Sequence, residues 1–229
     1  MTMMRTLTAL LVFALAGCAV DNNEPITDAG PTLPRYDELD QSNAKLSIAM
    51  AVDDSTATVT MIVSNASGQP VTLQDGQKLQ VNGVDLEGSA GSYSQTVPGA
   101  STYAVVVNEP RHGVVTTNVT PAPAFTITST GLDLSGSTIT WAPIDGAAKV
   151  DLSMSQQGAS TLQTADFPLT TDPGQLALTD VQLSKFVQGF PLTMTLVRTD
   201  NGPAIQGVAS SEVTLTRTRT QTTMPTSSH

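Results

Sequence analysis

The chain has 229 residues, of which 39% are hydrophobic, only 4% aromatic and 13% charged, and twenty Asp and Glu against ten Lys and Arg leave a formal net charge of −10. That balance argues against nucleic acid as a partner, since binding it rests on neutralising phosphates with Lys and Arg, and the nearest thing to a basic cluster is Arg217 with Arg219. The length suits one large β domain or two modules of about 100 residues each, and a single cysteine, Cys18, excludes an intramolecular disulfide, so hydrophobic cores alone must hold the fold.

Met1 to Thr8 carries one positive charge, Arg5, and Ala9 to Ala16 is an uninterrupted apolar run. A charged start followed by an apolar run well short of about 18 residues is the layout of a secretory signal peptide and too short to span a membrane. The run closes with Leu15-Ala16-Gly17-Cys18. These four residues resemble the lipobox of bacterial lipoproteins. The resemblance implies cleavage between Gly17 and Cys18, a diacylglycerol on the Cys18 thiol and a further acyl chain such as palmitate on the new amino group. One acyl chain anchors only marginally, whereas two or three, at about 0.8 kcal/mol per buried methylene, hold a protein on a membrane. Cys18 is therefore expected to be an anchor and no nucleophile. Ala19 stands where an Asp would signal inner-membrane retention in enterobacteria, so in a Gram-negative source the resemblance implies the outer membrane, on either its periplasmic or its surface face.

Residues 18–43, after the signal peptide at 1–17, read as an acidic linker. Asp21, Glu24, Asp28, Asp37, Glu38 and Asp40 face Arg35 alone, no apolar period persists, and Pro25, Pro31 and Pro34 interrupt any helix. A flexible tether of this length spans about 25 to 30 Å on average. Tyr36-Asp37-Glu38 offers a second reading as an acidic docking motif.

Alternation begins at Lys45. Leu46, Ile48 and Met50 share one face of a strand, Val59, Met61 and Val63 share one face of the next, and Asp53-Asp54-Ser55 is the turn between them. Asn82-Gly83, flanked by alternating residues, predicts a two-residue type I′ hairpin because both turn positions need positive φ. Further strands are expected near Ser92 to Val97, Thr102 to Asn108 and Gly113 to Val119, about seven in all, enough for a sandwich over residues 44–120. Thr120-Pro121-Ala122-Pro123 breaks the rhythm, since neither proline can donate to a ladder, and marks the module boundary.

The second module, 121–219, opens with Phe125 and Ile127 and continues with "STITWAP", where Ile139 and Trp141 point one way and Thr138 and Thr140 the other. Val150, Leu152 and Met154 follow in period two. A tryptophan before Ala-Pro and an alternating strand resembles the WxP of a fibronectin type III module, which makes Trp141 a core anchor. Asp180 to Gly189 has Leu183, Phe186 and Val187 at helical spacing and predicts a two-turn helix. Phe190, Leu192, Met194 and Leu196 line one strand of a final hairpin, Asp200 to Pro203 turns it, and Val208 to Thr218 returns. Residues 220–229 are polar and expected to be a disordered tail. The fold class expected is all-β: two tandem Ig-like or fibronectin III-like sandwiches behind a signal peptide and an acidic tether. In layout, the lipobox, the tether and the run from "VTLQDGQKLQVNG" to "SSEVTLTRTR" resemble a set of functionally uncharacterised proteobacterial lipoproteins built from Ig-like modules, a family that implies no particular activity.

Catalytic groups are sparse. His112 lies in the turn "EPRHG" and His229 is terminal, and no nucleophile elbow, P-loop or GxGxxG is present. Acidic pairs occur at Asp53-Asp54, Asp85 with Glu87, and Asp145 with Asp151; such pairs can bind calcium or hydrolyse glycosides, but turn chemistry explains these three. Asn65-Ala66-Ser67 and Asn118-Val119-Thr120 match the glycosylation acceptor pattern by chance in a bacterial setting. The expectation is a non-enzymatic binding or structural protein of the envelope. It would have no metal or cofactor, a lipid anchor at Cys18, and an envelope protein or glycan as its partner. Its rival is a carbohydrate-binding accessory or hydrolase with a carboxylate site in the loops.

Overall fold

A computed structural model describes residue 33, residues 43–227 except 75, 110–112 and 159, and nothing of the remainder, so Cys18, the signal segment, most of the linker, His112 and His229 lie outside the described residues. The chain is mostly strand, as alternation predicts. In order these are β1 (Lys45–Val52), β2 (Thr56–Ser64), β3 (Lys78–Val81), β4 (Val84–Asp85), β5 (Glu87–Ser89), β6 (Ser92–Pro98), β7 (Tyr103–Glu109) and β8 (Gly113–Val119), followed by β9 (Thr126–Ile127), β10 (Gly136–Ala142), β11 (Lys149–Gln157), β12 (Leu162–Leu169), β13 (Gln175–Thr179), α1 (Asp180–Leu183), β14 (Leu192–Asn201) and β15 (Ser210–Thr223). β1 buries every second residue, Leu46, Ile48, Met50 and Val52, and β2 does the same with Ala57, Val59, Met61 and Val63. The β3–β4 hairpin turns at Asn82 (φ 50°) and Gly83 (φ 78°), the two positive φ values that a type I′ turn demands.

Two hydrophobic cores form. The first lies between strands β1, β2 and β6 of one sheet and the facing sheet β4-β3-β7-β8, and contains Ile48, Met61, Leu79, Val105 and Tyr103. The second lies between β11 and β14 and the facing sheet β13-β10-β9, and contains Ile139, Trp141, Leu152, Leu178 and Leu196. Both rest on the same sheet. Its order is β12-β11-β14-β15-β1-β2-β6-β5, eight strands without a break.

The join is β15. Its residues 210–217 run parallel to β1, from Lys45↔Ser210 to Val52↔Arg217, while residues 214–223 run antiparallel to β14. Over residues 214–217 the strand is hydrogen-bonded on both sides. The fold therefore departs from two modules strictly in tandem across residue 120, because Ile205, Val213 and Leu215, late in the chain, pack into the first core. Sequence rhythm marks the strands but not their partners, which are chosen by non-local pairing.

Three smaller expectations are corrected. The segment after Asp200 is a loop, 202–209, rather than a tight turn. Gly202 lets it pass close to β15, since a Cβ there would stand 2.6 Å from Val213 Cγ1. The helix after β13 is one turn long and closed by a capping box, in which Thr179 Oγ1 accepts from Gln182 N and Gln182 Oε1 accepts from Thr179 N. The polar tail is ordered as far as residue 227: β15 runs to Thr223, and Thr226 bridges Asp133 through hydrogen bonds with Leu132 and Leu134.

Candidate functional site

Buried charge is the chemically informative feature of the described residues. β14 turns Leu192, Met194 and Leu196 inward, and the next residue of that parity is Arg198. Its side chain is wholly buried, as is that of Asp172, and Nη2 lies 2.5 Å from Asp172 Oδ2. The same Nη2 donates to the Pro143 carbonyl at 2.6 Å, Nη1 donates to the Pro123 carbonyl at 3.3 Å, and the guanidinium sits 4.4 Å from the centre of the Phe125 ring. Asp172 also accepts from Trp141 Nε1 at 2.6 Å, Asp145 N at 2.9 Å and Gly174 N at 3.0 Å. Desolvation pushes the Asp172 carboxyl up. These three donors and the Arg198 charge outweigh it and hold the group below its ordinary value.

Two further arginines on β15 close the seam between the cores. Arg217 Nε donates to the Ala122 carbonyl at 2.7 Å, and Arg219 Nε donates to the Phe125 carbonyl at 2.9 Å and pairs with Asp54. Burial, followed by the neighbouring Arg219, lowers the Arg217 pKa. The connector from the first core to the second is thus held by its backbone carbonyls. Nearby Asp200, which also faces inward on β14, is held above the ordinary carboxylate value by burial and then by Asp145, with Asp172 adding to the effect. Within the Arg198–Asp172 pair the chemistry is positional: the carboxylate accepts four hydrogen bonds and the guanidinium keeps its charge.

Of the acidic pairs seen in the sequence, Asp53, Asp54, Asp85 and Asp145 are engaged by hydrogen bonds or ion pairs, while Glu87 and Asp151 are exposed. Asp53 accepts from Thr56 N at 2.7 Å and Ser55 N at 2.8 Å, and these bonds, Thr56 first, lower its pKa to about 2. The sign follows: its contribution to stability is present above 3.8, its ordinary value, and is lost as pH falls through about 2. Asp54 pairs with Arg219. Asp85, lowered first by Gln80 and then by Lys78, bridges those two side chains at 2.5 and 2.9 Å, while Glu87 is exposed on β5. Asp145 caps its own turn by accepting from Ala147 N, and Asp151 points outward from β11. No group of three or more His, Cys, Asp or Glu among the described residues is placed to hold a metal.

A groove of about 340 Å³ lies beside β3, β4 and β5, lined in part by Gln74, Gln77, Lys78, Asp85 and Tyr93. Its polar groups already face one another: Tyr93 Oη accepts from Leu73 N at 2.9 Å, and Gln77 donates to Glu109 and accepts from Gln74 N. Trp141, 2% exposed, is a core anchor as its position in "STITWAP" predicts.

Sequence reading passed over Arg198 and Gln156, although parity marked both. Gln156 continues the row Val150, Leu152, Met154 and is buried, donating to the Val187 and Phe190 carbonyls and accepting from Val187 N. Cys18 and Gly17 lie outside the described residues, as does His112. No family model matches the chain, and no curated protein matches it significantly.

Proposed function

We propose that the protein is a bacterial lipoprotein anchored in the envelope through Cys18, whose β lobes bind another envelope component or give structural support without catalysis. The address is supported by Leu15-Ala16-Gly17-Cys18 behind a short apolar run, with palmitate and diacylglycerol as the anchor and the outer membrane as destination in a Gram-negative source. The activity reading is carried by one observation: a single eight-stranded sheet joins both lobes and presents loops and edges on one shared frame. The engagement of Asp53, Asp54, Asp85 and Asp172 in turns and ion pairs agrees with it.

The same reading extends to the fold family. In the first lobe β1-β2-β6-β5 faces β4-β3-β7-β8, and lettering the strands A to G in chain order, with β4 as C′, gives ABED against C′CFG. That is the immunoglobulin constant-type order with an added edge strand. In the second, β9-β10-β13 faces β12-β11-β14-β15, or ABE against C′CFG, which supports the fibronectin type III resemblance of Trp141.

Labelled palmitate tests the address: incorporation should vanish in Cys18→Ala, and incorporation that survives the substitution overturns it. Proximity crosslinking in the native cells tests the role. A reproducible envelope partner that is lost from Cys18→Ala supports binding, while turnover of a glycan or peptide by the purified protein overturns the non-catalytic reading.

A further inference from the structure

The chain enters the fold just before β1, where Ala44 is already buried, and β1 lies in the interior of the large sheet with β15 on one side and β2 on the other. β1 and β15 are parallel, so the N-terminus of β1 lies level with Ser210, while the C-terminal end of β15, at Thr223, lies about 43 Å further along at 3.3 Å per residue. Tension applied between the chain's N-terminus and its C-terminal end acts along both strands from opposite ends. In that geometry all eight registered pairs, Lys45↔Ser210 to Val52↔Arg217, carry the strain together, whereas strands pulled from the same end unzip pair by pair.

We propose that the β1–β15 ladder is a shear clamp that passes tension from the N-terminal anchor into the second lobe, so that the rest of the first lobe, β2 to β8, lies beside the line of force. This rests on the lipid-anchor reading for the source of the tension but not for the clamp itself. Two features fit the role. β15 is pinned at both flanks over residues 214–217. Level with the end of β1 and just past it, Arg217 and Arg219 fasten it to the connector carbonyls of Ala122 and Phe125, and Arg219 fastens it to Asp54 in the β1–β2 turn. A sliding β1 would have to break the ladder and draw Asp54 away from Arg219 together.

Single-molecule force spectroscopy on the unlipidated full chain, Cys18→Ser with an N-terminal handle, tests the clamp without the anchor. With the second handle at the C-terminus the strands are sheared. With it at Gln206→Cys, an exposed position in the loop before β15, next to Ile205 whose N–H donates to Ser211 at the start of that strand, the same ladder is peeled. The rupture force should be several-fold higher in the first geometry. Equal forces, or a higher force on peeling, overturn the clamp. Palmitate labelling that survives Cys18→Ala would remove the anchor while leaving this measurement intact.

Discussion

Arg198 shows what one inward-facing residue can decide. On a strand whose other buried side chains are Leu192, Met194 and Leu196, a guanidinium must bring a counter-charge and carbonyls with it, and Asp172, Pro143 and Pro123 supply them. Its place was legible in the sequence from period two. Its partners were not, because Asp172 is 26 residues away and arrives through the β12–β13 connection. Neighbouring Asp200 lacks such a balance, and its ionised form is disfavoured by burial and by Asp145. A carboxyl whose pKa is higher folded than unfolded costs stability increasingly as pH rises above its unfolded value of 3.8. Asp200→Asn should therefore raise the melting temperature at neutral pH and leave it unchanged below 3.8. Thermal melts at the two pH values check this, and a fall at neutral pH would show that Arg198 and Arg217 favour the charge more than burial opposes it.

At the scale of elements, strand positions were legible because alternation is local: β1, β2, β6, β7, β8 and the Asn82-Gly83 turn all lie where period two and turn chemistry put them. The helix was overestimated because Leu183 and Phe186 are both buried, at helical spacing, yet the chain leaves the helix after Leu183 and reaches Phe186 through a turn. Strand pairing was not legible. The loop between β14 and β15 makes the point, since Ile205 belongs by sequence to the second module and by packing to the first core, where it is 4% exposed. Ile205→Ala should cost about 2 to 5 kcal/mol, measured by denaturant unfolding. A loss well under that range would mean the loop only covers the first core and does not complete it.

For the whole molecule, one sheet under two cores leaves no point at which the lobes can come apart without breaking β15 from a neighbour. Calorimetry should show a single transition whose calorimetric and van 't Hoff enthalpies agree. Two resolved transitions would mean the lobes are thermodynamically separate despite the shared strand. Of the candidate site, the proposed lipid anchor at Cys18 rests on sequence alone, on the short contiguous run Leu15-Ala16-Gly17-Cys18. The arginine seam escaped it because Arg217 and Arg219 meet carbonyls about 95 residues earlier in the chain, at Ala122 and Phe125.

The parallel pairing also sets a schedule. Among the described strands β1 is the first synthesised and β15 the last, and Met50 meets Thr216 across 166 positions of chain. Until the final strand emerges, one edge of β1 stands unpaired, open to wrong neighbours, and the first core lacks Ile205, Val213 and Leu215. So long-range a closure is slow to find. The early lobe must wait for β15, and a ribosome or an export channel still holding that strand holds the first core in suspense.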